Sequence, residues 1–248
     1  FDQTRKELTA IWEKHLSAIE VETPDQEAKE KFYGAFYRAS FLPRTFNDVD
    51  GRYPAFAQKD SILQLAQDET YYDDFSMWDT YRALHPLINL LYPTRGGQMM
   101  QSLVYKYEQG DWLPIFPCWN SYTAAMIGDH CIAAIGDAYV KGIRNFDIET
   151  AYKGMRQNAF ESPVQEADYR NGMGRRALQS YLKYGYIPLE DSVPDAFHTK
   201  EQVSRTLEYA YDDFVLSQVA KLLQKDEDYK LLAARALNYR NVIDPATG

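Results

Sequence analysis

Apolar residues recur along most of this chain at spacings of three and four positions, the period of a helix with one buried face. Leu8, Ile11 and Trp12 begin such a face and predict a first helix over residues 3–20. Strand signals are few, with short strands possible in residues 18–22 and 44–75. The pattern therefore predicts an all-α fold, with eight further helices at about residues 24–41, 76–92, 95–109, 123–142, from 148, 172–184, 200–224 and from 226.

Residue types that begin or interrupt helices refine these limits. Thr23 and Pro24 form an N-cap and first-turn pair for the second helix, and Thr94 and Asp147 are predicted to cap the fourth and the sixth. Pro86 falls inside the third helix and should kink it.

Loop lengths give a hint of topology. The connections after the second, fourth and sixth helices are long, whereas those after the third and fifth are only a few residues. Short connections join antiparallel neighbours, so the three long loops should lie at one end of the helical scaffold. Only the loop over residues 185–199 departs from this alternation. Functional residues collect on such loops, so we expect a site at that end.

The composition narrows the class of function. The net charge of −9 argues against nucleic-acid binding, which needs a basic face. No apolar run approaches the ~18 residues of a transmembrane helix. Cys118 and Cys131 lack metal-ligand spacing, and whether they form a bridge stays open. The chain carries no signal peptide and opens at Phe1 rather than Met, so we expect that preceding residues have been removed.

The candidate chemistry begins at the predicted third helix. Trp78, Asp79 and Arg82 place a stacking ring, a hydroxyl acceptor and a cation at one helix mouth, which suits a sugar ring. The alternative is that Asp79 favours the helix dipole and Trp78 belongs to the core. Trp119, in the long aromatic loop over residues 112–120, is a further candidate for sugar binding.

Several carboxylates are weaker candidates. Asp48 and Asp50 could share a cation, but an Asx-turn is the preferred interpretation because the full calcium-loop pattern is absent. Glu208 and Asp212 lie one turn apart on the eighth helix. Neighbouring positions are too close and too parallel for the opposed acid and base of an inverting glycosidase, so we assign them a supporting role. Asp213 is predicted to face solvent.

Asp129 and His130 are predicted to lie inside the fifth helix. A buried His that is hydrogen-bonded to a carboxylate either has a structural role or forms hydrogen bonds with sugar hydroxyl groups, and both interpretations stay open. Other chemistries fit poorly, because the chain has no Gly-rich phosphate loop, no zinc-protease motif, no nucleophile elbow and no ligand spacing among its His residues.

Five motifs in order along the chain resemble glycoside hydrolase family 92. The most specific is Trp78-Asp79-Thr80, within the longer segment over residues 75–87. The others are Asn47-Asp-Val-Asp-Gly-Arg-Tyr53, Met126-Ile-Gly-Asp-His130, Thr206-Leu-Glu-Tyr-Ala-Tyr-Asp-Asp-Phe214 and Asn238-Tyr-Arg-Asn241. The resemblance covers essentially the whole chain.

The resemblance implies a fold and an activity. Family 92 consists of calcium-dependent, inverting exo-α-mannosidases in which a β-sandwich precedes an (α/α)6 toroid. Residues 1–22 would then be a connecting helix and residues 23–248 the N-terminal portion of a partial toroid built of antiparallel helical hairpins. The family's general acid, general base and main calcium ligands would follow Gly248. We therefore assign no catalytic residue and no metal ligand to this chain, and expect the sandwich and the remaining toroid segments elsewhere in the same protein.

The resemblance also implies a site and a setting. Asp79 would hold the mannose ring, with Trp78, Arg82, Asp129 and His130 lining or supporting the pocket. The complete, periplasmic or secreted enzyme would remove terminal α-linked mannose during N-glycan processing, whereas this chain alone would be inactive. Linkage preference and oligomeric state stay open. The alternatives are a non-catalytic carbohydrate-binding or scaffold module, and another inverting (α/α)6 glycosidase that uses carboxylates of this chain.

Overall fold

The computed structural model describes residues 1–57, 59–191 and 198–247. The chain forms two compact units, Phe1–Pro43 and Arg44–Gly248. The prediction that residues 23–248 belong to one toroid is a statement about the complete enzyme, and it stays a prediction.

The first unit is a pair of helices, α1 (Asp2–Leu16) and α2 (Gln26–Ala39). The Trp12 ring of α1 packs edge-on against Tyr37 of α2 at 4.5 Å between centroids. The cap of α2 is Asp25, whose side chain accepts a hydrogen bond from the Ala28 N–H at 3.0 Å. The prediction of Thr23 as the cap is therefore wrong by two residues, because Thr23 bonds the Asp25 N–H instead. Residues 18–22 form no strand.

The second unit begins with two small antiparallel sheets of two strands each. β1 (Arg44–Thr45) pairs with β4 (Tyr72–Asp73), and β2 (Arg52–Pro54) pairs with β3 (Ile62–Gln64). The strands expected in residues 44–75 are thus confirmed. Across the described residues after 76, the only strand-like pairing is an isolated bridge between Cys118 and Ser121.

Helices and their connections make up the rest of the second unit, and the main core lies among four of the helices, α5 (Pro93–Gly110), α6 (Cys131–Val140), α7 (Ile148–Phe160) and α10 (Gln202–Leu222). Met99, Leu103, Ile135, Met155 and Leu216 are fully buried there. The mostly helical fold is confirmed. The helices are α3 (Met77–Thr80), α4 (Leu84–Leu91), α5 (Pro93–Gly110), α6 (Cys131–Val140), α7 (Ile148–Phe160), α8 (Glu166–Arg170), α9 (Leu178–Tyr184), α10 (Gln202–Leu222) and α11 (Asp226–Arg235), followed by the 3₁₀ helix Ala236–Val242.

The predicted third helix is broken rather than kinked. α3 ends at Thr80 and α4 begins at Leu84, because Ala83 between them leaves the helical region with φ −141°. Pro86 is the third residue of α4 and lies in its first turn. Backbone N–H groups in the first turn form no hydrogen bond within the helix, so a proline there breaks none. α5 begins at Pro93, so Thr94 is not its cap. Asp147 does cap α7, as predicted, by accepting from the Thr150 N–H at 3.1 Å.

The predicted fifth helix starts eight residues late, at Cys131. Met126 and Gly128 have left-handed backbones, with φ 62° and 84°, which no continuous helix allows. Asp129 and His130 therefore precede α6 instead of lying within it. The seventh predicted helix likewise begins only at Leu178, and the short α8 was not predicted. α10 and the start of α11 agree with the sequence pattern. No helix in the described parts of the chain is long and apolar enough to cross a membrane.

Candidate functional site

A histidine held by two carboxylates forms the centre of the site. His130 is 1% exposed and directly precedes α6. Its Nδ1 lies 3.0 Å from Asp212 Oδ1, and its Nε2 lies 3.1 Å from Glu208 Oε2. Burial alone would lower the pKa of His130, but the two carboxylates outweigh it and raise that pKa to about 9. The imidazole is therefore a cation at neutral pH.

Glu208 forms the solvent side of this centre. Its carboxylate is 15% exposed and accepts hydrogen bonds from the Tyr81 hydroxyl at 3.2 Å and from Arg82 Nη2 at 3.4 Å. The Tyr81 ring stacks on His130 with centroids 3.9 Å apart. Burial would raise the pKa of Glu208, but hydrogen bonding to His130 and the charges of His130 and Arg82 lower it overall. Glu208 is thus an ionised, oriented carboxylate that solvent can reach.

The helix α3 and the turn that follows it contain Trp78, Asp79 and Arg82, the residues that the sequence singled out. The Arg82 guanidinium lies 4.6 Å above the Trp78 ring and donates to the Trp78 carbonyl oxygen at 3.1 Å. Asp79 is exposed, and its only side-chain hydrogen bond in the described structure comes from Ser76 Oγ at 2.6 Å. Trp78 and Arg82 therefore join His130 in one cluster through Glu208 and Tyr81, with Asp79 on the adjoining turn.

Asp129 lies deeper and does not pair with its neighbour His130. Its N–H donates to Asp212 Oδ2 at 2.8 Å, and its carboxylate accepts from Asn158 at 3.1 Å and from Arg175 Nε at 2.9 Å. Burial raises the pKa of Asp129 to about 6, against the opposing charge of Arg175. Both carboxylate oxygens are thus engaged by the protein, which makes Asp129 a support for the site from within.

Asp213 is fully buried, and the prediction that it faces solvent is wrong. Arg175 Nη1 donates to its Oδ1 at 2.7 Å, and the Tyr181 hydroxyl donates to its Oδ2 at 2.9 Å. Arg235 of α11 also forms an ion pair with it. The α8–α9 connection, α9 and α11 thus supply the partners that cover this side of α10.

Together these residues form a chain of charged groups from the surface into the core, in which opposite charges alternate except where the Asp129 N–H joins the two anions Asp212 and Asp129. Each buried charge faces an opposite one, which offsets the large cost of removing it from water. Sequence reasoning missed Tyr81, Arg175 and Arg235, and its only signal for the inner part was the complementary doublets Arg175-Arg176 and Asp212-Asp213. In order, the chain runs through Arg82, Glu208, His130, Asp212, Asp129, Arg175, Asp213 and Arg235.

The loop over residues 112–120 lies against the segment that leads into α3. The Trp119 N–H donates to Asp74 at 2.8 Å, and the Phe75 N–H donates to the Pro117 carbonyl oxygen at 3.1 Å. The Trp119 side chain is 78% exposed. The loop and α3 are therefore neighbours, as the loop-length argument predicted, although no ring contact joins Trp119 to Trp78 among the described residues.

The candidate metal ligands among the described residues do not form a metal-binding site. Asp50 accepts from the Arg52 N–H at 3.1 Å and from Arg52 Nε at 2.7 Å, so the Asx-turn interpretation is confirmed. In the stretches that the structure describes, no three His, Cys, Asp or Glu side chains converge where a metal ion could bind. These residues do not fit a calcium site by themselves. Cys118 and Cys131 are both free thiols.

Comparison with known proteins decides the family. The model of the glycosyl hydrolase family 92 catalytic domain matches residues 1–248. The chain belongs to glycosyl hydrolase family 92. Family 92 also includes the solved structures to which this fold is similar.

A family 92 α-mannosidase from Bacteroides thetaiotaomicron, solved with mannoimidazole, is 36% identical, with a TM-score of 0.86 over 100% of this chain and 30% of its own. A family 92 inverting mannosidase from the same species is 29% identical, with a TM-score of 0.83 over 98% of this chain and 31% of its own. A relative from Arthroderma benhamiae, described as an uncharacterized secreted glycosidase, is 27% identical over 235 residues, 92% of this chain and 25% of its own length. The chain thus spans under a third of the length of each of these three proteins.

Proposed function

We propose that the protein containing this chain removes terminal α-linked mannose from glycans with inversion, and that this chain forms part of the sugar pocket. The observation that carries the proposal is the likeness to a family 92 α-mannosidase over the whole chain at 36% identity. The secreted relative supports a periplasmic or secreted location, where N-glycans would be available as substrates.

In this proposal the exposed groups around α3 contact the sugar. Asp79 accepts hydrogen bonds from mannose hydroxyls through the oxygen that Ser76 does not use. Trp78 supplies apolar surface for the C–H groups of the ring, and Arg82 lies over one of its faces. Glu208 is the second available acceptor, and His130 fixes its orientation. Trp119 extends this surface along the neighbouring loop.

The general acid and base belong elsewhere in the complete enzyme. An inverting glycosidase needs two carboxyl groups about 6.5–9.5 Å apart, on opposite sides of the sugar, with room for a water. Glu208 and Asp212 instead contact the same imidazole, and Asp212 is fully buried. In the full protein, one carboxylic acid protonates the glycosidic oxygen as the bond to the anomeric carbon breaks. A second, as carboxylate, takes the proton of the attacking water.

Calcium is a proposal for the complete enzyme only. The described residues form no cage for it, and its main ligands are expected in other segments of the protein. Nothing in the roles given to Asp79, Trp78, Arg82 and Glu208 depends on it.

The deciding experiment uses the full-length protein. Mannose release would be measured from an aryl α-mannoside and from α-linked mannobioses, with calcium and with a chelator, and NMR would identify the first anomer formed. We expect hydrolysis that gives β-mannose first and that chelation abolishes. Binding of mannosides without hydrolysis would instead favour a carbohydrate-binding module, and hydrolysis of another glycoside would favour a different inverting glycosidase.

A further inference from the structure

A small pit beside His130 is lined by two arginines among mostly apolar side chains, and none of the described residues in its lining is acidic. Its wall is formed by residues 123–128 together with Ile115, Gly172, Tyr209 and two arginines, Arg176 and Arg205. The space available to a water-sized sphere is ≈ 10 Å³, and the empty space including the opening to solvent is ≈ 260 Å³. This lining is opposite in sign to the chain as a whole, whose net charge is −9.

Arg205 has a buried charge that no carboxylate of the described residues pairs with. It is 1% exposed, and one of its terminal nitrogens donates to the His198 carbonyl oxygen. Its Nε and Nη1 are buried and have no acceptor among the described residues. Arg175 is buried to the same degree, but it forms ion pairs with Asp129 and Asp213. An unneutralised buried cation is costly, so Arg205 calls for a negative partner that these residues do not supply.

The backbone of the wall adds further donors. In the described structure, no N–H group of residues 124–128 donates to a protein acceptor. Met126 and Gly128 have left-handed backbones, and concave turns of this kind gather N–H groups around anions. The wall at Gly128 adjoins the candidate site, because a Cβ there would lie 2.2 Å from His130 Nε2.

We propose that this pit binds one monatomic anion, chloride, with Arg205 as its principal ligand. The enclosed part of the pit, ≈ 10 Å³, holds about one water-sized sphere, so a single-atom ion that also occupies part of the opening is favoured over a tetrahedral oxyanion such as phosphate. A water molecule would fit and accept hydrogen bonds, but it would leave the guanidinium charge unneutralised. The ion is distinct from the sugar and from the proposed calcium.

Thermal unfolding of the full-length protein would test the proposal. Potassium chloride or bromide would replace potassium gluconate at constant ionic strength, with sulfate and phosphate as further arms. We expect both halides to raise the thermal midpoint by at least about 3 °C, because a ligand that binds only the folded state stabilises it. The variant Arg205→Met should lose this response. Arg5→Met, an exposed arginine of α1, should keep it.

A wild-type crystal soaked in bromide gives a test that does not depend on the folding of a variant. The expected result is an anomalous peak within hydrogen-bonding distance of Arg205 Nε and Nη1. A water at that position with no halide signal, or equal halide responses of wild type and Arg205→Met, would overturn the proposal. So would a larger midpoint shift with phosphate than with chloride.

Discussion

His130 Nε2 and Glu208 Oε2 lie 3.1 Å apart and join the start of α6 to α10 across 78 positions of the sequence (208 − 130). The same imidazole contacts Asp212 through its other nitrogen. One cation therefore orients a partly exposed carboxylate, Glu208, and a buried one, Asp212, together.

The first prediction concerns pH. The folded pKa of His130, about 9, lies above its ordinary value of 6.5, so its contribution to stability is complete below pH 6.5 and is lost as pH rises through 9. The shift corresponds to at most roughly 3 kcal/mol. Urea unfolding would be measured at pH 6.5, 8 and 10. The difference in free energy of unfolding between wild type and His130→Gln should be largest at pH 6.5 and mostly lost at pH 10. Lys106 and other groups titrate in both proteins, so the difference between the two isolates His130. A pH-independent difference would contradict the prediction.

The second prediction concerns Asp79. In the full-length enzyme, Asp79→Ala should lower kcat/KM for α-mannosides by ~100-fold or more, because a lost hydrogen bond to a charged group costs about 1.5–3 kcal/mol and misplacement of the sugar adds to it. The thermal midpoint should change little, since Asp79 is exposed and bonds only Ser76 among the described side chains. Ser76→Ala is the matched control, and it should be nearly silent in both measurements. Normal kinetics with a large loss of stability would make Asp79 a structural residue.

The third prediction concerns Asp213. Asp213→Ala should reduce the free energy of unfolding by about 3–5 kcal/mol, because it leaves Arg175 and Arg235 buried beside a lost anion. Chemical unfolding would measure this loss. Glu227→Gln, on the exposed first turn of α11, removes a charge without such partners and should cost less than about 1 kcal/mol. If both variants lose the same small amount, the buried network contributes little to stability.

The fourth prediction concerns activity of residues 1–248 alone. These residues should not hydrolyse α-mannosides, with or without calcium, because the described part of the chain offers no opposed pair of carboxyl groups at its sugar-facing surface. General acid and base catalysis each contribute about 10²–10⁴-fold. The measurement is release of aryl alcohol by a preparation whose helical circular dichroism is verified. Robust turnover would move the catalytic assignment into this chain, first to Glu208 and Asp79.

Local patterns predicted the elements whose signals are local. α10 begins and ends close to its predicted limits, α11 begins where predicted, and Asp147 caps α7, because an apolar stripe and a cap can each be recognised within a few residues. The helix prediction for residues 123–130 was wrong because their conformation depends on contacts distant in the sequence. Their small and apolar side chains are typical of a helix, yet the Asp129 N–H is drawn to Asp212, 83 positions away.

The candidate site shows the same division. Trp78, Asp79 and Arg82 could be grouped because one short segment contains them. The contact of Glu208 with this group depends on Tyr81, from the α3–α4 connection. The burial of Asp213 depends on Arg175, from the α8–α9 connection, and on Arg235 of α11. No spacing rule connects residues so far apart in the sequence, so these roles needed the fold.

Gly128 has a consequence for searches among related sequences. Any side chain at this position would require a left-handed backbone and would overlap the His130 ring, with Cβ only 2.2 Å from Nε2. A homologue with alanine or a larger residue at position 128 must therefore have moved or replaced the histidine. The presence of both Gly128 and His130 can thus be used as a criterion for selecting homologous sequences. Sequences with both residues retain this position of the imidazole, and sequences without them have a different pocket.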